Sequence, residues 1–232
     1  PEYFCLMGHR DGDKLGIAED DGDGPIQQAL VDAARDLGVW VIGGTLPIRC
    51  APRDGEDGPR VTNSCCVYRP DGRRAARYDK IHLFCFKNGR EHYDEGSVIE
   101  AGSTPVQFML QARDGQGWCV GLSVCYDLRF PELYRCHAKA GAQLMLVPSA
   151  FTHTTGQAHW ELLLRARAVE NQAYVLAPAQ GGVHENGRHT WGHSMLVDPW
   201  GDVQAMQSQG HGVVQARLEI EHIAQVRARL PA

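Results

Sequence analysis

The sequence has no long uninterrupted run of apolar residues, and its longest runs span only a few positions. A helix that crosses a bilayer needs roughly 20 such residues, so no membrane-spanning segment is predicted. The sequence also has no block of basic residues, because 23 Lys and Arg face 28 Asp and Glu and leave a net charge of −5. That balance disfavours nucleic acid and anionic membranes as partners.

Short binding motifs are also missing. Neither G-x-G-x-x-G nor G-x-x-x-x-G-K-[ST] occurs, which disfavours a dinucleotide or P-loop nucleotide site. The eight cysteines include no C-x-x-C pair, and a chain of 232 residues can bury a sizeable core without disulfide bonds. We therefore interpret the cysteines as free thiols and expect a reducing, cytoplasmic location.

What is present is typical of one globular domain covering residues 1–232, with 43% hydrophobic and 22% charged residues. Hydrophobic periodicity indicates more strands than helices and several strand–helix–strand units, which predicts a layered α/β fold. The predicted helices include 25–37, capped by Asp23 and ended by Gly38, and 157–172. The predicted strands are 39–44, 61–68, 74–79, 105–112, 118–124, 143–148, 173–179, 193–198, 203–206 and 213–218.

The most informative stretch is Trp118–Arg135, in which an apolar strand runs into Cys125 and a helix opens at Pro131. A cysteine at a strand end near a helix start is well placed as a nucleophile, because the helix dipole and nearby N–H groups favour the thiolate. The N–H groups that follow it can also bind an oxyanion. A core cysteine before an ordinary loop fits the same pattern, so position alone leaves both interpretations open.

A nucleophilic cysteine needs a base, and histidine is the commonest one. The sequence has 11 histidines and does not choose among those in plausible segments, which are His82, His153, His159 and His193. A cysteine–histidine hydrolase or acyltransferase is therefore one hypothesis.

Two charged residues elsewhere are ambiguous when taken singly. Lys80 lies at the end of a predicted strand, between Asp79 and an apolar run. A lysine there either reaches solvent or serves as a fixed cation for a developing oxyanion, since burying it unpaired is costly. Glu2, in the first four residues, carries no signal by itself.

Together these stretches resemble the nitrilase superfamily, the carbon–nitrogen hydrolases, which use a glutamate–lysine–cysteine triad in this chain order. The matching motifs are Pro1-Glu2, Tyr78-Asp79-Lys80-Ile81-His82-Leu83-Phe84 and Cys125-Tyr126-Asp127-Leu128-Arg129-Phe130-Pro131-Glu132. A second family glutamate matches Glu95 in Tyr93-Asp94-Glu95-Gly96, where Gly96 replaces a serine that is common in relatives.

Motifs in the C-terminal half resemble the branch of the family that contains deaminated glutathione amidase and omega-amidase. They are Pro148–Thr152, Thr155–Glu161, Leu164–Gln172, His189–Ser194 and Asp198–Gly201. The resemblance implies a four-layer α-β-β-α sandwich that forms a homodimer or a higher homo-oligomer. It also implies that a strand and a helix precede Pro1 in the natural protein, which would make this sequence incomplete at its N-terminus.

The resemblance assigns roles to the matching residues. Glu2 is the implied general base and Cys125 the implied nucleophile, while Lys80 and the backbone N–H of Tyr126 stabilise the oxyanion. Glu95 would orient the substrate amide and tether Lys80. The implied reaction converts a small linear carboxamide to acid plus ammonia through a thioester, with no metal and no organic cofactor.

The branch further implies an amide with a carboxylate or short peptide tail, such as deaminated glutathione or a similar omega-amide of a 2-oxo acid. Arg129 and Arg165 are candidates to bind that tail, and Phe151 and Trp160 are candidates for the pocket wall. Each of the four also fits a structural role. A nitrile or an N-carbamoyl substrate is the alternative.

Two hypotheses from other functional classes remain, a metal-binding protein and a non-catalytic ligand-binding protein. His189 and His193 are four residues apart and His153 and His159 flank a predicted helix start, which raises a metal site. Gly192 and the strand-like surroundings argue against the helix that such spacing needs. A non-catalytic relative that only binds a ligand would typically have lost a triad residue, and all three are present here.

Overall fold

The computed structural model describes residues 1–51, 58–89 and 92–231. The chain divides into two compact units. We call Tyr3–Thr104 the N-terminal unit, and Pro1–Glu2 together with Pro105–Ala232 the C-terminal unit.

The described residues of the N-terminal unit form two helices and seven strands. They are α1 (Asp13–Gly16), α2 (Pro25–Leu37), β1 (Val41–Ile42), β2 (Leu46–Cys50), β3 (Arg60–Tyr68), β4 (Arg74–Asp79), β5 (Cys85–Lys87), β6 (His92–Asp94) and β7 (Ile99–Glu100). Strand β3 pairs with β1, β2, β4 and β7, and each of its nine residues is buried. Because β4 pairs along β3 from Ser64 to Tyr68, it ends with Asp79 next to the buried middle of the sheet.

Helix α2 begins at Pro25, whose fixed φ suits the first helical position. The predicted cap at Asp23 is wrong, since no side chain of the flanking residue caps the helix. Instead the Glu19 carboxylate accepts hydrogen bonds from the backbone N–H groups of Ile26 and Gln27. A carboxylate satisfies these N–H groups and complements the helix dipole from the preceding loop, so the neighbouring aspartate is not needed.

The C-terminal unit contains a six-stranded sheet and three helices. Its elements are β8 (Gln107–Gln111), β9 (Gly117–Leu122), α3 (Pro131–Lys139), β10 (Leu144–Leu146), α4 (His153–Asn171), β11 (Tyr174–Ala177), β12 (Gly181–Val183), β13 (His189–Trp191), β14 (Ser194–Val197), β15 (Val203–Gln207) and α5 (Ile220–Arg229). The strand order in the sheet is β15-β14-β11-β10-β9-β8, while β12 and β13 form a separate hairpin.

The middle of this sheet is built from two strand–helix–strand units. Strands β9, β10 and β11 are parallel, and α3 and α4 connect them in turn. Their carboxyl ends therefore meet at one edge of the sheet, which is where ligands bind in open α/β folds. Backbone hydrogen bonds continue past the strand ends, from Cys125 N to Pro148 O at 3.0 Å and from Ser149 N to Pro178 O at 2.9 Å.

Helix α3 packs its His137 ring directly on β9. A Cβ atom on Gly121 would lie 2.7 Å from the ring of His137, so only glycine lets the imidazole approach this strand. The ring is 1% exposed, and its Nε2 atom donates to the backbone carbonyl of Leu122 at 2.9 Å. Burial lowers the pKa of His137 below its ordinary value of 6.5, against the smaller opposing effects of that hydrogen bond and of the Asp127 charge.

The depressed pKa of His137 predicts a loss of stability in mild acid. Below about pH 6.5 the unfolded chain binds a proton at this histidine that the folded chain does not bind. The free energy of unfolding therefore decreases as the pH is lowered, by up to about 1.4 kcal/mol per pH unit. Urea denaturation at pH 7.5 and 5.5 measures the drop. His137→Gln should reduce it, whereas the exposed His211→Gln should leave it unchanged. An equal decrease in the free energy of unfolding in all three proteins would contradict the assignment of this effect to His137.

The predicted α/β class is confirmed, and most predicted elements lie within a few residues of the observed ones. Helix α4 starts four residues earlier than predicted, because the Thr152 hydroxyl caps it by accepting from Thr155 N. The predicted strand at 213–218 is wrong: these residues are irregular in the structure, and Val213 is 87% exposed. Among the residues described, no helix has the length and apolarity that crossing a bilayer requires.

Candidate active site

Cys125 follows the carboxyl end of β9 in a sharp turn. Its φ angle is +49°, a left-handed conformation that a residue with a Cβ atom rarely adopts. The residue opens the 3-10 turn Cys125–Arg129, and α3 starts two residues later at Pro131. Its side chain is 6% exposed, and its N–H is bound to the Pro148 carbonyl. Strained backbone of this kind is typical of functional positions, where the surroundings hold the residue in place.

Asp127 stabilises this turn through two hydrogen bonds to the backbone of Val124. Its buried carboxylate Oδ2 accepts a hydrogen bond from Val124 N at 2.8 Å, and its own N–H donates to Val124 O at 3.0 Å. These two bonds bracket Cys125 and fix its backbone on both sides. Asp127 lies in the matched motif that begins at Cys125, but no role was predicted for it. The available signal was a carboxylate two residues after a turn residue.

Glu2 lies at the same edge of the same sheet. It belongs to the C-terminal unit and is 1% exposed. Its backbone carbonyl accepts a hydrogen bond from Gln180 Nε2 at 3.2 Å, and Gln180 follows the carboxyl end of β11. Strand β10 lies between β9 and β11, so the carboxyl ends of β9, which precedes Cys125, and of β11, which precedes Gln180, are about 10 Å apart.

Lys80 and Glu95 form a buried ion pair in the N-terminal unit. Lys80 comes directly after β4, as predicted, and is fully buried. Its Nζ atom donates to Glu95 Oε2 at 2.8 Å. Lys80 is held by its backbone as well, with its N–H on Asn63 O at 3.0 Å and its carbonyl accepting from Gly102 N at 2.9 Å.

Glu95 opens a 3-10 turn at the end of β6 and is 6% exposed. Its Oε2 atom also accepts from Phe84 N at 2.8 Å, and its Oε1 atom accepts from the Tyr3 hydroxyl at 2.7 Å. Burial opposes ionisation, but the charge and hydrogen bond of Lys80, together with these two hydrogen bonds, hold the pKa of Glu95 below its ordinary value. Glu95 is therefore an anion at neutral pH.

Tyr3 was missed by the sequence analysis. Its hydroxyl reaches a carboxylate 92 positions away along the chain, and no local pattern predicts such a contact. The tyrosine is 3% exposed and has a φ angle of +53°.

The four candidate substrate contacts differ in their burial and in the groups that they touch. The Arg129 guanidinium is partly buried and lies 5.4 Å from the centroid of the Phe151 ring and 5.7 Å from that of Tyr126. Trp160 is fully buried, packs against Phe151 and donates from Nε1 to His193 O. Arg165 donates to Gly201 O at 2.7 Å, so a structural contact occupies its guanidinium.

The histidines raised by the sequence have varied surroundings. His159 Nδ1 lies 3.2 Å from Arg129 Nη1, and the rings of His153 and His189 stack at 4.2 Å. His193 stacks on Trp191, and its Nδ1 atom lies 2.9 Å from the Trp191 carbonyl. Across the three described ranges, no group of three His, Cys, Asp or Glu side chains has the arrangement of a metal site.

Comparison with known proteins shows the family of this chain. The carbon–nitrogen hydrolase profile matches residues 1–228. The chain is 39% identical over 216 residues to a deaminated glutathione amidase from Yersinia enterocolitica, covering 92% of this chain and 72% of the relative. It is 36% identical over 209 residues to a human omega-amidase, covering 90% of this chain and 71% of the relative.

A solved structure shows the same fold. Nit3 of Saccharomyces cerevisiae, a member of branch 10 of the nitrilase superfamily, superposes with a TM-score of 0.84 at 30% identity, covering 100% of this chain and 79% of that one. The predicted family and the hydrolytic activity on amides are thereby confirmed. The chain belongs to the carbon–nitrogen hydrolase family and is an amidase of the nitrilase superfamily.

Proposed function

We propose that this protein hydrolyses a small linear carboxamide to the acid and ammonia through a thioester on Cys125. Glu2, Lys80 and Cys125 act as base, oxyanion donor and nucleophile. The substrate is deaminated glutathione or a similar omega-amide of a 2-oxo acid. The names of the two relatives, deaminated glutathione amidase and omega-amidase, support the first compound and the omega-amide group.

The observation that carries the proposal is the strained turn at Cys125. The backbone of Cys125 is held at φ +49° beyond a parallel strand, and a 3-10 turn opens at this residue. The backbone N–H of Tyr126, the oxyanion donor of the proposal, therefore follows the nucleophile directly in the chain. A structural cysteine in a core needs neither feature. The placement of Glu2 on the same sheet edge supports its role as the base that activates this thiol.

The reaction proceeds in two halves. Glu2 accepts the proton of the Cys125 thiol, and the sulfur attacks the amide carbonyl carbon to give a tetrahedral oxyanion. Glu2 returns that proton to the nitrogen, the carbon–nitrogen bond breaks and ammonia leaves. A water molecule, deprotonated by Glu2, then attacks the thioester, which releases the acid and regenerates the thiol.

Lys80 and the N–H of Tyr126 stabilise the oxyanion in both halves, a contribution of roughly 3–4 kcal/mol per donor. The ion pair with Glu95 suits Lys80 to this role, because an unpaired lysine in a fully buried position is costly to keep charged. Glu95 also orients the amide nitrogen of the substrate.

The substrate tail binds Arg129 in this proposal. Its guanidinium lies over the rings of Phe151 and Tyr126, which hold it without neutralising its charge. A carboxylate on the tail would complete a bidentate pair with it. Phe151 forms a wall of the pocket, and Trp160 supports it from the core.

A panel of amides, nitriles and N-carbamoyl compounds, scored by ammonia release, tests this function. We expect turnover of omega-amides of 2-oxo acids and of deaminated glutathione, and at least about tenfold lower kcat/KM for amides without a terminal carboxylate, since a charged hydrogen bond is lost. Preferred turnover of nitriles or carbamoyl compounds would overturn the substrate class. No turnover of any member would favour a non-catalytic binding protein.

Three wider proposals accompany this function. All eight cysteines are free thiols, which supports a reducing location such as the cytoplasm. We also propose that the protein is a homodimer or a higher homo-oligomer, as the family resemblance implies, and that it uses no metal or organic cofactor.

A further inference from the structure

We propose that Tyr3 is a positioning residue for this reaction: its hydroxyl fixes the Glu95 carboxylate, and through it the Lys80 ammonium group. The role rests on the proposed function, in which Lys80 binds the oxyanion. The contact that carries it is the 2.7 Å hydrogen bond from the Tyr3 hydroxyl to Glu95 Oε1.

The hydrogen bonds of Glu95 divide between its two oxygen atoms. Lys80 Nζ and Phe84 N both donate to Oε2, while Tyr3 donates to Oε1. Donors on Oε2 alone would leave the carboxylate able to rotate about its last side-chain bond. A donor on Oε1 fixes the plane of the carboxylate and hence the direction in which Lys80 is held.

Tyr3 is itself anchored at three points. Its backbone N–H donates to Thr45 Oγ1 at 2.9 Å, and its ring lies 4.6 Å below Lys14 Nζ. Lys14 is 2% exposed and is fixed in turn by Asp11 Oδ1 at 2.8 Å. The hydroxyl bond is the third anchor, so the aromatic ring cannot move without breaking a polar contact.

The backbone of Tyr3 gives the arrangement a second consequence. Its left-handed φ angle of +53° is strained for a residue with a Cβ atom, and the surrounding contacts must hold it. Tyr3 is joined to Glu2 by a peptide bond. The residue that carries this strain is therefore also the one whose hydroxyl orients the Glu95 carboxylate.

Tyr3→Phe tests this role, because it removes only the hydroxyl and keeps the ring over Lys14. We expect kcat to fall about tenfold with KM nearly unchanged, since a hydrogen bond to a charged group is lost. The acid limb of the kcat/KM profile should move to higher pH, because Glu95 loses a donor that favours its ionised form. Tyr68→Phe, which removes another buried hydroxyl from the same unit, should leave both unchanged.

A second measurement needs no substrate. Carbon-13 NMR of side-chain-labelled glutamate, with the Glu95 signal assigned from its loss in Glu95→Gln, should show a higher titration midpoint in Tyr3→Phe than in the wild type. An unchanged midpoint, or a raised midpoint with unchanged kcat, would overturn the role of Tyr3. A wild-type protein that hydrolyses no amide would overturn the proposed function and any part of Tyr3 in turnover, while the NMR midpoint would still decide the hydrogen bond.

Discussion

Replacing Cys125 with alanine should reduce amide hydrolysis by at least about 10⁴-fold, because removal of a nucleophile leaves only binding and oxyanion stabilisation. Cys125→Ser should be nearly as inactive, since a hydroxyl is a far weaker nucleophile than a thiol under the same base. Ammonia release under saturating substrate measures both effects. A Cys125→Ala protein with ordinary activity would mean that the nucleophile has been assigned wrongly.

The fold should survive this substitution. Alanine keeps a Cβ atom, so the strain of the left-handed turn is the same in both proteins, and the bonds from Asp127 to Val124 do not involve the sulfur. The thermal midpoint of Cys125→Ala should therefore lie close to that of the wild type. Cys136→Ala, an exposed cysteine on α3 of the same unit, is the matched control and should keep full activity.

The covalent intermediate gives an independent test of the same residue. Acid quenching during turnover should trap an acyl group on the peptide that carries Cys125, seen by mass spectrometry. The other buried or partly buried thiols are poor competitors, because burial raises the pKa of Cys66 to about 11 and also raises those of Cys65, Cys5 and Cys119. Acylation of Cys136 or Cys85 instead would point to chemical modification rather than catalysis.

Removing the Lys80 charge is the second large effect. Lys80→Met should lower kcat/KM by about 10²–10³-fold through loss of an oxyanion donor. It should also reduce the free energy of unfolding by about 3–5 kcal/mol, because Glu95 would remain buried without its cation. The exposed Lys87→Met on β5 is the control for both measurements and should change neither.

A double variant separates the two consequences. Lys80→Met with Glu95→Gln removes both charges, so most of the lost stability should return while activity stays low. Denaturant titration and ammonia release on the same samples make the comparison. Recovery of activity together with stability would show that Lys80 serves the fold and not the reaction.

The positions of Lys80 and Cys125 were predictable because each of these residues directly follows a strand or lies near its end. The strand pattern placed Lys80 directly after 74–79, and β4 ends there. The run from Trp118 into Cys125 predicted a strand and then a turn, which the structure has. In both cases a local pattern determines the element, and the element determines where the side chain lies.

The features that the sequence did not predict depend on contacts between distant parts of the chain. The cap of α2 comes from Glu19 rather than Asp23, because the loop path decides which carboxylate reaches the free N–H groups. The hydroxyl of Tyr3 meets Glu95 only after folding. Residues 213–218 have a strand-like sequence but no strand in the structure, since strand propensity describes a side chain's fit to a neighbouring strand rather than the backbone alone.

The main-chain bonds that join the ends of β9, β10 and β11 have an evolutionary consequence. Cys125 is tied to Pro148, and Ser149 to Pro178, through a backbone N–H and a backbone carbonyl, which every residue type except proline possesses. Homologous sequences can thus exchange side chains at these loops while keeping the nucleophile in place. An inserted or deleted residue would shift the register of the bonds and displace the thiol, so selection should act on loop length more strongly than on loop composition.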